Sequence, residues 1–261
     1  MPRKYLFLDA GAVAANYREL ASDLSEASIS LDIMSLAAYG GDRFDRIFYY
    51  DAIPNKRPDE SEYAYADKLA EKERELSALS QISNVHVRTG TAKFRKKKGL
   101  EQKGVDVLIA IDMLRFAFQG HMDEAWLWSS DLDMYPALDA LTETRVQTTL
   151  LYAPRTTSRE LVACADRSVA LTVKNLLRWA KEPELVKKHS IDCYGDLRTN
   201  EKDCLRQIRS GKVDSKELLL YESTKRARYM CYWNGRCCFG KTERAIFDEM
   251  FEGKKIDWDI D

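Results

Sequence analysis

What most constrains this chain is a series of short, unbroken apolar segments, each ending in a turn and followed by a helical stretch. Residues 4–8 (KYLFL), 46–50 (RIFYY), 125–128 (AWLW) and 146–152 (VQTTLLY) are too short for buried helices and do not alternate polar with apolar. A strand buried on both faces reads this way, because neither side of it meets water. Residues 85–88 (VHVR) are a polar exception that suits a sheet edge. Helical patterns fall between these runs, over 14–24, 31–38, 60–79 and the very apolar 105–118. Another helix carries Pro136 in its first turn, where the missing N–H is tolerated, and a last one runs from a Ser158 cap to about Trp179. Strand and helix alternate five times. The expected fold class is therefore α/β, three-layered, with a mainly parallel five-stranded sheet between helices.

At 261 residues the chain is long for one domain and short for two. Its character changes after Pro183. Residues 1–180 read as the α/β domain and 184–261 as a charged α+β extension. Within the extension, Tyr229–Phe239 (YMCYWNGRCCF) centres on Asn234-Gly235, a strong hairpin signal. That reading puts Tyr229, Tyr232 and Trp233 in a core. The other reading joins them with Lys225, Arg226, Arg228 and Arg236 into a single-strand nucleic-acid surface.

Lys and Arg number 41 against 42 Asp and Glu, a net charge of −1, so any polyanion site must be a local patch. No run approaches the ~18 apolar residues of a membrane span, and no signal-peptide core precedes residue 9. A cytoplasmic protein away from membranes is expected, with its six cysteines reduced.

Open parallel sheets gather functional groups at the carboxyl ends of their strands. Asp9 ends the first strand and Asp51 the second; Asp131 and Asp133 follow Ser129 and Ser130 after the fourth, and Asp106 opens the helix before it. Carboxylates converging on one rim repel one another, and a hard divalent cation relieves that repulsion. Mg²⁺ or Mn²⁺ takes oxygen ligands and activates water for attack on a phosphodiester. The plain alternative is that each Asp after a strand caps a helix. Asp112 lies six residues past Asp106, about 240° further round the helix, so both cannot face one ion squarely.

Three segments carry a family resemblance. Leu6–Gly11 (LFLDAG), Gln102–Asp112 (QKGVDVLIAID) and Leu127–Asp133 (LWSSDLD) resemble the NYN branch of the PIN-like nucleases, including bacterial LabA-like proteins. Order and spacing agree across roughly residues 1–175. The resemblance implies a Rossmann-like sheet of order 3-2-1-4-5 and Mg²⁺ or Mn²⁺ at Asp9, Asp106, Asp131 and Asp133. It further implies phosphodiester hydrolysis, with Asp112 as a supporting carboxylate. Asp51, Ser129 and Ser130 are further supporting candidates. Two positions depart from the family pattern: Ala12 stands where many members have Asn, and Ser130 where Gly is usual.

Beside the acids runs a basic loop. Lys93, Arg95, Lys96, Lys97, Lys98 and Lys103 immediately precede Asp106 and are candidate phosphate contacts. RNA is the expected partner, with single-stranded DNA as the alternative and a homo-oligomer left open. A haloacid-dehalogenase-like phosphatase would need an acid at position 11, which is Gly. A dinucleotide-binding domain would need GxGxxG after the first strand, and Asp9-Ala10-Gly11-Ala12 does not supply it. The non-enzyme reading is an NYN-like scaffold that binds RNA or a protein partner without cutting.

Overall fold

The apolar runs become strands. A computed structural model describes residues 2–38, 44–95, 99–189, 192–194, 205–223, 228–234, 236–251 and 254–259; for 91–95, 99–103 and 192–194 the description is of the backbone. The chain divides into two compact units. The first comprises Met1–Ala15, Ala37–Tyr152 and Thr156–Val169; the second comprises Asn16–Leu36, Ala153–Arg155 and Ala170–Asp261.

Up to residue 128 the elements are β1 (Lys4–Asp9), α1 (Ala10–Leu24), α2 (Ile33–Ala37), β2 (Arg46–Ile53), α3 (Glu62–Ser80), β3 (Val85–Arg95), β4 (Gly99–Lys103), α4 (Val105–Phe118) and β5 (Glu124–Trp128). There follow α5 (Tyr135–Thr142), β6 (Gln147–Tyr152), α6 (Arg159–Cys164), β7 (Arg167–Ala170), α7 (Val173–Arg178) and α8 (Glu184–Lys188). Strands β1 to β7 form one sheet in the order β4-β3-β2-β1-β5-β6-β7. The central pairs, β1 with β2 and β5, β2 with β3 and β5 with β6, are parallel. This contains the expected 3-2-1-4-5 order, with one strand added at each edge.

Both additions correct the sequence reading. The stretch from Lys93 to Lys103, expected as a loop, is mostly strand: Thr91–Arg95 of β3 pairs antiparallel with Gly99–Lys103. Its polar composition hid it, because an edge strand need not be apolar on either face. The helix expected from Ser158 to Trp179 is broken in two. Ser158 caps α6 as anticipated, its Oγ accepting from the Leu161 N–H at 3.2 Å. Asp166 then ends the helical course. Its Oδ2 accepts from the Thr148 N–H (2.7 Å) and hydroxyl (2.8 Å), and its own N–H donates to Thr148 Oγ1 (3.0 Å). That clamp ties the start of β7 to β6, and Thr172 caps a fresh helix, α7.

Strand alternation sorts the core of this sheet. Phe7 of β1 stacks on Phe48 and Tyr50 of β2, while Tyr5 packs tilted against Phe48 and edge-on to Phe116 of α4. Leu6, Leu8 and Ile47, on the opposite parity, are fully buried as well. Helix α4 buries Val105, Ile109, Met113 and Phe116 and leaves Val107, Ile111 and Phe118 exposed.

In the second unit, β8 (Asp192–Tyr194), β9 (Leu205–Val213), β10 (Lys216–Ser223), β11 (Tyr229–Trp233), β12 (Arg236–Gly240) and β13 (Asp257–Trp258) form an antiparallel sheet of order β13-β9-β10-β11-β12-β8. Helix α9 (Glu243–Phe251) sets Ile246 and Phe251 against Val213, Leu218, Leu220 and Cys231. The β9–β10 hairpin turns at Asp214-Ser215, both with positive φ, as a two-residue primed turn requires. The β11–β12 hairpin turns at Asn234, as its sequence signal indicated. Trp233 meets the Phe251 ring edge-on at 5.3 Å and donates its indole N–H to the Val213 carbonyl at 3.3 Å. It is a half-buried residue packed against this core. Lys225 and Arg226 lie outside the described residues.

The cysteines are not all reduced. Cys238 is disulfide-bonded, and the β12–β8 register sets Cys193 opposite it. Cys164, Cys231 and Cys237 form no disulfide. Among the described residues no helix is long and apolar enough to cross a membrane.

Candidate functional site

Parity carries Asp9 to the face that α4 covers, since it follows Tyr5 and Phe7 at steps of two. The residue is 9% exposed and sits where β1 gives way to α1. Asp9 Oδ1 accepts the Gly11 N–H at 2.9 Å, so the residue caps that helix. Burial pushes its carboxyl up to about 6. The charges of Asp106 and Asp131 push the same way, while the Ala12 and Gly11 amides oppose them.

Asp106 reaches the same rim through Gly104. Strand β4 ends at Lys103 and α4 begins at Val105, and the residue between them has φ +86°. That left-handed conformation suits glycine and turns the chain from strand to helix within one residue. Asp106 then lies in the first turn, where the helix dipole favours a negative charge. Burial nevertheless raises its carboxyl above the usual range, with the charges of Asp131 and Asp133 adding to the effect.

The third arm follows β5. Ser129 is buried, and its Oγ accepts the Asp131 N–H at 3.2 Å. Asp131 Oδ1 accepts the Asp133 N–H at 2.9 Å and caps a single 3₁₀ turn over Leu132–Met134. Thr157, which the sequence reading did not single out, donates its hydroxyl to Ser130 Oγ at 2.9 Å. Ser130 is thereby tied down in a loop where the family usually has glycine.

The charges of Asp106 and Asp131 thus reach Asp9, and those of Asp131 and Asp133 reach Asp106. Among the described residues none of the four has a Lys or Arg ion-pair partner. Nor do any three His, Cys, Asp or Glu side chains there form a group that could hold a metal ion.

Two other acids are turned away. Asp51 directly follows Tyr50, so parity puts it on the opposite face, where α3 packs. It is buried, accepts the Ala52 N–H at 2.7 Å and pairs with Lys72 Nζ at 2.5 Å. Burial lowers the Lys72 ammonium, but Asp51 and Glu75 outweigh that and hold it above its ordinary value. Asp112 lies midway along α4 and is buried. Its Oδ2 accepts the Tyr50 hydroxyl at 3.0 Å and lies 3.3 Å from Arg88 Nε, while Oδ1 lies 2.8 Å from Arg115. The support it gives goes to two arginines. The side chains of Lys93, Arg95 and Lys103, and all of Lys96, Lys97 and Lys98, lie outside the described residues.

With this geometry in place, comparison with known proteins is informative. The NYN domain family matches residues 6–172. The chain belongs to the NYN domain family. NYN domains are in general nucleases, and the first unit has the PIN-like nuclease fold. No curated protein matches the chain. One solved structure similar to it is a protein of unknown function from Vibrio parahaemolyticus, 20% identical, covering 65% of this chain and 93% of that one at a TM-score of 0.45. A likeness that distant adds nothing to the family match.

Proposed function

We propose that this NYN domain is a divalent-metal-dependent endoribonuclease that hydrolyses RNA phosphodiester bonds at Asp9, Asp106, Asp131 and Asp133. The observation that carries the reading is a knot of mutually repelling carboxylates at the carboxyl rim of a parallel sheet, with no cationic partner among the described residues. Four charges held together against burial and repulsion are unfavourable for the protein alone.

The donor set fits Mg²⁺ or Mn²⁺. All four groups offer hard oxygens; the Asp9 carboxyl accepts the Gly11 and Ala12 N–H groups, and Asp131 Oδ1 accepts that of Asp133. Since no three of them form a ready cage, the fit is to an ion that keeps several waters and takes one or two carboxylates directly. Such an ion neutralises charge developing at phosphorus and makes water more acidic. The chain's own groups do the rest. Gly11 and Asp133 amides fix the Asp9 and Asp131 carboxyls in place. Gly104 fixes the bearing of Asp106. The basic strip from Lys93 to Lys103 joins the site through Gly104, two residues before Asp106, and supplies phosphate contacts for RNA or single-stranded DNA.

A second reading, an NYN module that binds RNA without cutting, draws on the missing three-carboxylate group and on the Thr157–Ser130 bond in the loop. One assay separates the two. A labelled single-stranded RNA is incubated with the protein in Mn²⁺ or Mg²⁺ and in chelator, beside Asp131→Asn. The nuclease gives metal-dependent products that fall by roughly a hundredfold or more in the variant, while RNA binding persists. A folded wild-type protein that cuts neither RNA nor single-stranded DNA defeats the nuclease reading.

A further inference from the structure

A second charged cleft lies away from the acids, between α4 and β3. It encloses about 450 Å³, within the usual range for small-molecule sites. Arg46, Arg88 and Arg115 line it together with Phe48, His86 and Phe116. The three rings form a continuous stack: His86 on Phe48 at 5.1 Å and Phe48 on Phe116 at 4.9 Å. His86 is exposed at the end of that stack.

The arginines are held in place. Asp112 is buried behind two of them, pairing with Arg88 and Arg115 and fixed in turn by the Tyr50 hydroxyl. Arg115 also lies over the Phe116 ring at 4.7 Å, and Arg46 over the Tyr5 ring at 5.6 Å. Among the described residues Arg46 has no carboxylate partner. Three guanidinium charges therefore share one carboxylate, which leaves the cleft cationic. Pre-set guanidinium forks are the groups that recognise phosphate bidentately, and an exposed ring on a rigid stack is a platform for a planar base.

We propose that this cleft binds a nucleoside monophosphate, with its phosphate on Arg46, Arg88 and Arg115 and its base on His86. Burial and the Arg46 and Arg88 charges lower the His86 imidazole, so near neutral pH it presents a neutral ring. The cleft is separate from the acid rim. Arg115 lies nine residues beyond Asp106 on α4, about 13 Å along the axis and half a turn round it. The inference stands whether or not the domain cuts RNA.

The test is calorimetric titration of the full chain, in chelator, with AMP, GMP, CMP, UMP and inorganic phosphate. One mononucleotide per chain is expected to bind, more tightly than phosphate alone. Arg46→Ala weakens it by roughly tenfold or more. His86→Ala weakens the nucleotide and leaves phosphate unchanged, and Asp131→Asn changes neither. Circular dichroism confirms that each variant is folded, and Arg115→Gln, which leaves Asp112 paired with Arg88, is a second cation test. The proposal is overturned by a folded wild-type chain that binds no mononucleotide, by binding unchanged in both Arg46→Ala and Arg115→Gln, or by binding lost in Asp131→Asn.

Discussion

Asp9 combines two roles that the sequence presents as rivals. It caps α1, and burial, joined by the charges of Asp106 and Asp131, raises its pKa from 3.8 to about 6. The raised value has a definite consequence for stability. An Asp whose folded pKa is raised contributes stability that is fully present below about pH 3.8 and is lost as pH rises through about 6. At pH 7, without cation, ionised Asp9 destabilises the fold by up to ~3 kcal/mol. Asn cannot ionise and still accepts a backbone N–H. The melting temperature of Asp9→Asn minus that of the wild type, in chelator, is therefore expected to climb between pH 4 and pH 7 and then level off. Mn²⁺ should narrow the gap by stabilising the wild type. A difference that stays flat across that range refutes this account of Asp9. The remaining acids divide by simple geometry. Asp51 is one step from Tyr50, which shares a face with Phe7, so strand parity alone could have removed it from the site. The 240° offset of Asp112 was legible in the same way; the identity of its partners, Arg88 on another strand and Arg115 one turn on, needed the fold.

Among the elements, those buried on both faces were the readable ones. Helix α4 has the bounds its apolar pattern indicated, and β1, β2, β5 and β6 lie where the apolar runs do. The elements that escaped are edges and short pieces whose cause is tertiary. β4 is polar, and β7 depends on Asp166 meeting Thr148 eighteen residues away, a bond that no local pattern records. The junction between β4 and α4 combines both kinds of information. Lys-Gly-Val-Asp is a sequence motif, but the structure gives its reason: Gly104 is at φ +86° with nothing within 4 Å of where a Cβ would sit. Backbone conformation, and not crowding, excludes other residues. Gly104→Ala is expected to cost about 1–2 kcal/mol in urea unfolding. It should reduce cleavage by more than that loss of folded protein explains, because it re-aims Asp106. A variant with wild-type stability and wild-type cutting would show that the left-handed turn is dispensable.

At the scale of the molecule, the family match and the compact units do not coincide. The match ends at residue 172, yet residues 16–36 belong to the second unit. Within that unit Tyr17 donates its hydroxyl to the Leu176 carbonyl at 2.9 Å, Asp23 pairs with Arg244, and Glu26 lies 2.6 Å from both His189 and Lys188. Arg244 is buried; burial lowers its guanidinium, but Asp23, Asp248 and Glu19 outweigh that and raise it. A chain ended after residue 172 loses all of these partners. Limited proteolysis should then cut it within 16–36, at sites where the full chain resists; equal resistance would mean that α1 needs nothing beyond the family segment. The open flank of the first sheet has a different kind of consequence. β4 pairs only with Thr91–Arg95, so among the described residues Val85–Gly90 have a strand neighbour on one side alone. A bare backbone edge invites strand addition from other molecules, and charged side chains along it discourage self-association. Arg88 therefore bears on solubility as well as on the cleft: an apolar residue in its place would leave an edge stripped of charge as well as of a neighbour, and concentrated protein would be expected to aggregate from there.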